Sequence, residues 1–241
     1  MFLEERHKRI LNKLTAEGRV KVKDLAKEFN VTEDCIRKDL RELENNQKLK
    51  RVYGGAIPQR THQDLKTIDE RKNINLDEKR KIARSALTFI QENDTVFLDT
   101  STNTLEIAKE LATANKKVTV VTNMLEIVFQ LKAHPHIKII CIGGEFNHEV
   151  GAIVGTATEH YIRSFTYDLA FIGACGVNKD SGYVSTISLV DGTTKKTIIE
   201  CANRSYLVIE KEKFNYDAFY KFARLEEITG IITEDEVILE P

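Results

Sequence analysis

No run of apolar residues in this 241-residue chain is long enough to cross a bilayer. Met1 opens directly into a charged stretch, EERHKR, so neither a membrane anchor nor a secretory leader is expected. Cysteine is sparse: Cys35, Cys141, Cys175 and Cys201 form no C-x-x-C pair, and each stands in an apolar or helical stretch. That usage fits buried free thiols in a reducing, cytoplasmic compartment. The sequence has no G-x-S-x-G, H-E-x-x-H or Walker A pattern, which removes three common catalytic and nucleotide-binding readings. His134 and His136 flank Pro135 without carboxylate or thiol support, a poor set for a metal, so neither metal nor cofactor is expected. With 41% hydrophobic and 30% charged residues the composition is that of a soluble globular protein, and a net charge of −1 points to no particular partner.

The charge is unevenly placed, however. Residues 1–60 carry 15 Lys and Arg against 10 Asp and Glu, a balance of +5, whereas residues 61–241 carry 21 against 27, a balance of −6. A basic head on an acidic body fits a chain that meets nucleic acid at one end. In the head, Leu3, Ile10, Leu11 and Leu14 recur at helical spacing, and Gly18 offers a left-handed stop. RVKV reads as a short strand, after which Val22, Leu25, Ala26 and Phe29 share one face of a second helix. Asn30 and Val31 turn the chain, and Thr32 caps a third helix with Glu33 and Asp34 in its first turn. Burying Ile36, Leu40 and Leu43 there forces Arg37, Lys38 and Arg41 outward. KLKRVYGGAIP reads as strand, glycine turn and returning strand, which completes a winged helix-turn-helix over residues 1–57. Such a third helix suits a major groove, where Arg37 can pair bidentately with guanine while Lys48, Lys50 and Arg51 on the wing meet phosphates. The same face also reads as a solvated surface on which the cations pair with Glu33, Asp34 and Glu44.

The run VTEDCIRKDLRELENNQKLKRVYGGA resembles the signature of the DeoR family of bacterial sugar-operon regulators. That family shows a Val-Ser start, a Thr-Ile-Arg-Arg-Asp-Leu core, a Leu-Glu, and then Arg-Val-His-Gly-Gly-Ala at the wing. The resemblance implies that Thr32, Cys35 and Tyr53 join the cations on the DNA surface. Three positions depart from the pattern. Cys35 stands at a usual Thr and removes a hydroxyl. Lys38 replaces the second Arg, keeping the charge without the bidentate fork. Gln47 replaces a common Gly at the helix end, so the glycine cap is missing.

Residues 58–76 are polar with little periodicity and read as a linker to a second domain, 77–241. Strand-like runs TVFLD (95–99), VTVVT (118–122), IKIICIG (137–143), LAFIG (169–173), SYLVI (205–209) and GIIT (230–233) alternate with helical stretches LEIAKEL, MLEIVFQLKA, TATEHYIRSF and KKTIIECAN. That alternation predicts an α/β domain with a mostly parallel sheet. Where TVFLD runs through TSTN into a helix, hydroxyls and amide groups at a helix N-terminus can hold a phosphate, with Asp99 accepting bonds from sugar hydroxyls. An ordinary Ser/Thr helix cap would give the same string.

The family resemblance extends into this domain. DeoR sensor domains are similar to ribose-phosphate isomerases and CoA-transferases, with an Asp and a Gly/Ser/Thr-rich loop where Asp99, Thr100, Ser101, Thr102, Asn103 and Thr104 stand. Here Ser101 takes the place of a usual Gly and Asn103 that of a usual Thr. Thr122 and Asn123 match a Thr-Asn, Gly143 and Gly144 a Gly-Gly, and DLAFIGACGV (168–177) an Asp-x-Ala-Phe-x-Gly stretch. Asp191 and Lys195 match an acidic residue four before a Lys, and Glu212, Lys213 and Phe214 a Ser-Lys-Phe. These matches imply an effector site for a phosphorylated sugar or polyol, with Lys195 and Lys213 as charge contacts; Lys213 reads equally well as a surface lysine. The family continues with a helix and strand beyond its Ile-Thr-Asp, whereas this sequence ends at Pro241, so a sheet edge reduced or completed by a neighbouring subunit is expected.

The resemblance therefore implies a repressor of a carbohydrate operon that binds double-stranded operator DNA as a homodimer or homotetramer. An isomerase-like enzyme with an appended DNA-binding head is the alternative, and it needs a positioned general base. Ribose-phosphate isomerases carry an acidic cluster and a Lys-Gly-Gly-Gly run; DLAFIGACGVNKD offers Asp168 at its start and no such run, so catalysis is not expected. An RNA-binding reading lacks the aromatic stacking motifs of RNA modules.

Overall fold

A computed structural model of the chain describes residues 2–46, 48–58, 61–62 and 68–239. It divides into two compact units, Met1–Thr61 and His62–Pro241. In the first, helix Leu3–Glu17 closes at Gly18, whose φ of 70° glycine adopts without a Cβ penalty. Helix Val22–Phe29 closes likewise at Asn30, and Thr32 caps helix Glu33–Asn45 by accepting from the Cys35 N–H at 3.2 Å. Gln47 lies outside the described residues; beside it, the Lys48 N–H donates to the Leu43 carbonyl at 2.9 Å. Strands Val20–Lys21, Gly55–Pro58 and Leu49–Val52 form an antiparallel sheet in that order. A Cβ on Gly55 would lie 1.9 Å from the Val20 carbonyl oxygen, so the pairing requires glycine.

Ile10, Leu14, Leu25, Ile36, Leu40 and Leu49 form the centre of the head's core, all but excluded from solvent. Leu3, expected inside, is exposed, and Leu11 is half-buried. A charge pair that apolar periodicity does not reveal lies buried instead between the first and third helices. Arg6 donates through Nε and Nη2 to the two oxygens of Asp39, at 2.5 and 2.9 Å.

The second unit is an α/β layer structure. Its main sheet runs Val237–Leu239, Gly230–Ile232, Ser205–Val208, Leu169–Ile172, Thr95–Leu98, Val118–Thr122, Ile137–Cys141; the first pairs antiparallel and the other six are parallel. Alternation along each strand assigns side chains to two cores. Val96, Leu98, Val120, Leu169, Phe171, Tyr206 and Val208 meet helices Leu76–Leu87, Thr102–Thr113 and Leu125–Leu131. Phe97, Val121, Ala170, Ile172 and Leu207 meet helices Thr156–Ile162 and Leu189–Cys201. Both faces are covered, which is why these strands are continuous apolar runs. Numbered along the chain, the parallel strands stand 3-2-1-4-5-6. The winding reverses between the first and fourth, Thr95–Leu98 and Leu169–Ile172, and such a reversal opens a crevice at the carboxyl ends of the strands.

Several expectations are corrected here. The stretch 58–76 is not all linker: helix Ile68–Arg71 sets Ile68 into the body's core, an isolated apolar residue that carries no readable period, while residues 59–60 and 63–67 lie outside the described residues. The sheet edge is completed by the chain's own Val237–Leu239; Pro241 lies outside the described residues. None of the thiols is deeply buried, because each sits at the margin of an element or just beyond one; Cys141 is exposed and the other three are half-buried.

Candidate functional site

On the head, Arg37, Lys38, Arg41, Lys48, Lys50, Arg51 and Tyr53 are all exposed, the tyrosine fully. Two of the cations already hold carboxylates. Arg37 donates to Glu33 at 2.6 Å and to Asp34 at 2.7 Å, and Arg51 Nε donates to Glu44 at 2.7 Å. The outward cationic face and the solvated ion pairs are thus one surface, and exposed pairs of this kind contribute so little that phosphates can displace them. Thr32 and Cys35 are joined in the helix cap; Cys35 is half-buried behind it.

In the body, a cavity of about 400 Å³ lies at the winding reversal. Thr100, Ser101, Thr102, Asn103, Lys195 and Lys213 line it, so the structure brings these sequence-predicted residues together. The loop is held by a reciprocal cap: the Thr104 N–H donates to Ser101 Oγ at 3.0 Å and the Ser101 N–H to Thr104 Oγ1 at 3.1 Å. The Thr102 and Asn103 N–H groups of the first helical turn have no acceptor among the described residues, as helix geometry requires, and they remain available as donors. Gly173, at the end of the fourth strand, approaches so closely that a Cβ there would lie 2.4 Å from Ser101 Cβ.

The charged residues around the cavity fall into two groups. In the first, Lys195 is buried between two carboxylates: Nζ donates to Asp99 Oδ2, lies 3.3 Å from Asp191 Oδ1, and reaches the Thr100 carbonyl at 3.4 Å. Asp191 also accepts from the Thr186 hydroxyl at 2.7 Å. Burial alone would lower the Lys195 pKa, but Asp191 and Asp99 outweigh it and the net direction is up. Asp99 is pushed up to about 6, chiefly by complete burial, with Lys195 opposing and Asp191 reinforcing. Its Oδ2 also accepts from the Gly173 N–H at 3.1 Å, while Oδ1 is buried without a donor among the described residues.

In the second group, Lys79 is 1% exposed, donates to the Arg71 carbonyl at 2.5 Å and stands 3.7 Å from Glu210. Its pKa is lowered, first by burial and then by Arg71 and Lys213, with Glu210 opposing. Arg71, Lys79 and Lys213 line the cavity here together with Glu210 and Glu212, and Lys213 Nζ donates to Glu212 Oε1 at 3.2 Å.

Other sequence-predicted residues brace the site from outside the lining. Thr122 donates to the Leu98 carbonyl at 2.7 Å and accepts from the Met124 N–H at 3.1 Å. Asn123 donates to the Ile153 carbonyl at 2.9 Å and accepts from Thr100 Oγ1 at 3.3 Å. Asp99 and Thr104 sit beneath the lining residues, Thr104 within the cap. Gly144 packs against Thr158 with φ 147°, and Gly143 is exposed beside it. Sequence reasoning missed Arg71, Lys79 and Glu210. The available signal was Lys79, which shares the buried helix face of Ile82, Ala83 and Ala86 at spacings of three, four and seven.

Residues 6–61 match the family profile of the DeoR-like helix-turn-helix domain, and residues 74–235 that of the DeoR C terminal sensor domain. The HTH-type transcriptional regulator FruR of Bacillus subtilis (strain 168) is 31% identical over 236 residues, covering 98% of this chain and 93% of its own. The HTH-type transcriptional repressor GlcR of the same organism is 30% identical over 97% of this chain and 89% of its own. The lactose phosphotransferase system repressor of Staphylococcus aureus (strain N315) is 28% identical over 98% and 94%. Among solved structures, eIF2B delta from Chaetomium thermophilum aligns with a TM-score of 0.50 at 17% identity, over 69% of this chain and 58% of its own, a likeness of fold alone.

Proposed function

Because the chain belongs to the DeoR family of transcriptional regulators, we propose that it represses a carbohydrate-metabolism operon and releases its operator when a phosphorylated sugar or polyol fills the cavity of the body. DNA binding is the business of the winged head, whose exposed cations suit phosphates and a major groove. A single head reads few base pairs, so the working unit is a symmetric dimer or tetramer in the cytoplasm, with half-sites to match. Two of the related proteins are named repressors, one of them of a sugar phosphotransferase system.

One observation carries the ligand class: open amides at a helix N-terminus share a cavity with Arg71, Lys79 and Lys213, the two lysines paired there with Glu210 and Glu212. Donors and cations that converge this way favour a phosphate over a neutral sugar. Asp191 of the other group, with Thr186, suits ligand hydroxyls. Lys195 is buried between Asp99 and Asp191 and orients those carboxylates; Lys79 and Lys213, whose own partners Glu210 and Glu212 line the same cavity, are the cations proposed to meet the phosphate. We read the cavity as a receptor rather than a catalytic centre, in keeping with the regulators it resembles.

The test is a thermal-shift screen of phosphorylated sugars and polyols, where a ligand at 100 times its Kd should stabilise by roughly 2.7 kcal/mol. The ligand found should then weaken binding to DNA selected by the full chain about 5- to 150-fold. Lys79→Met should blunt that response. A screen in which no such compound stabilises the chain or shifts DNA binding overturns the reading, and turnover of pentose phosphates would replace it with the isomerase alternative.

A further inference from the structure

Asn103 stands where the resembling family usually has threonine, and its surroundings make it a different kind of group. It is 4% exposed and lines the cavity. Its Nδ2 donates to the Val208 carbonyl at 3.0 Å and to Glu210 Oε2 at 3.1 Å. Turning the amide over would set its oxygen against those two acceptors, so its orientation is fixed. Oδ1 is consequently left buried with no donor among the described residues. A threonine hydroxyl can donate to a phosphate; this oxygen can only accept, and a phosphate dianion has no proton to offer it.

We propose that Asn103 is a specificity-determining residue that accepts a hydrogen bond from a ligand hydroxyl next to the phosphate ester. The inference rests on the phosphate reading above and refines it. With the phosphate on the Asn103 backbone N–H, the hydroxyl of the adjoining ligand carbon is the donor proposed for the buried Oδ1 of the same cavity-lining residue. Ser101, at the family's usual glycine, does not compete for that hydroxyl, because its own is engaged with Thr104. The selected class is therefore a phosphate monoester with a free hydroxyl on the carbon beside the ester-bearing one, as in an open-chain polyol phosphate. A pyranose 6-phosphate, whose neighbouring oxygen is locked in the ring, cannot supply that donor.

Calorimetry of the full-length chain with D-glucitol 6-phosphate, its 5-deoxy counterpart and inorganic phosphate tests this. An acceptor left unsatisfied in a buried site loses enough to make the wild type prefer the hydroxylated ester by roughly 10- to 100-fold. In Asn103→Leu, which keeps the backbone amide but has no acceptor, the ratio of the two affinities should fall towards one; circular dichroism checks that the variant folds. The wild-type comparison needs no variant, so misfolding of Asn103→Leu does not shelter the proposal. Equal wild-type affinity for the two esters overturns it while leaving phosphate recognition intact, and so does an unchanged ratio in a folded variant. Failure of all three probes to bind wild type removes the phosphate reading itself, and this inference with it.

Discussion

Replacing Asp39 by alanine isolates the charge pair that joins the first and third helices of the head. The contact is two-pronged, at 2.5 and 2.9 Å, with the carboxylate 3% exposed and His7 Nε2 3.5 Å from Oδ1. Removing that carboxylate takes away one side of the buried pair, and breaking one side of such a pair costs on the order of 3–5 kcal/mol. A unit of about 60 residues has a total stability of only about 3–9 kcal/mol, so the loss is comparable with everything holding the head together. At about 4–8 °C per kcal/mol for a domain this small, its Tm should fall by roughly 12 °C or more. Replacing both partners with apolar groups, Arg6→Met with Asp39→Leu, should recover much of the loss, because the desolvation penalty leaves with the charges. Scanning calorimetry of the full chain, paired with DNA titrations, reads both effects. A Tm change under about 2 °C in Asp39→Ala, or a double variant no better than the single one, would refute the reasoning.

Gly173→Ala should destabilise the body by about 1–3 kcal/mol, since its Cβ would lie 2.4 Å from that of Ser101; adding Ser101→Gly should restore stability in a denaturant titration. Asp99, raised from 3.8 to about 6, binds a proton in the folded chain that the unfolded chain releases. Its contribution to stability is therefore fullest below its unfolded pKa and is lost as pH rises through about 6, and Asp99→Asn should flatten that part of the curve in melts recorded across the range. On the head, Lys50→Ala should weaken all duplexes alike and lower the salt slope by about one unit, while Arg37→Ala should relax base preference in an anisotropy titration.

The parts of the fold that were legible rest on period. Strands such as 95–98 and 169–172 declare themselves because both faces are buried, and the third helix because Ile36, Leu40 and Leu43 leave its cations only one side. The loop 99–104 was legible as a phosphate cradle or a cap, and it is built as a cap whose first-turn amides stay open. Motif matching could not separate Asn103, which lines the cavity, from Thr122 and Asn123, which brace neighbouring strands, because both tasks require hydrogen-bonding side chains. Lys79 escaped because a lysine in an amphipathic helix is ordinarily assigned to solvent, and Arg71 because it follows a stretch with no period. Asp39 sits in the same helix turn as the outward cations, and only the distant Arg6 shows that it points inward.

Arg37, held between Glu33 and Asp34, makes the reading helix a carrier of its own counterions. An approaching duplex meets these ion pairs, and the guanidinium must change partners to reach it. Arbitrary DNA offers only phosphate attraction for that exchange, and it must also tolerate two carboxylates set loose near its backbone. A sequence that gives the guanidinium a pair of base acceptors offsets both demands at once. If Arg37 reads bases as proposed, the helix penalises wrong sites slightly more than the right one, a small selection that acts through repulsion because exposed pairs are weak. The consequence expected of that proposed role is kinetic: shorter stays on non-cognate DNA.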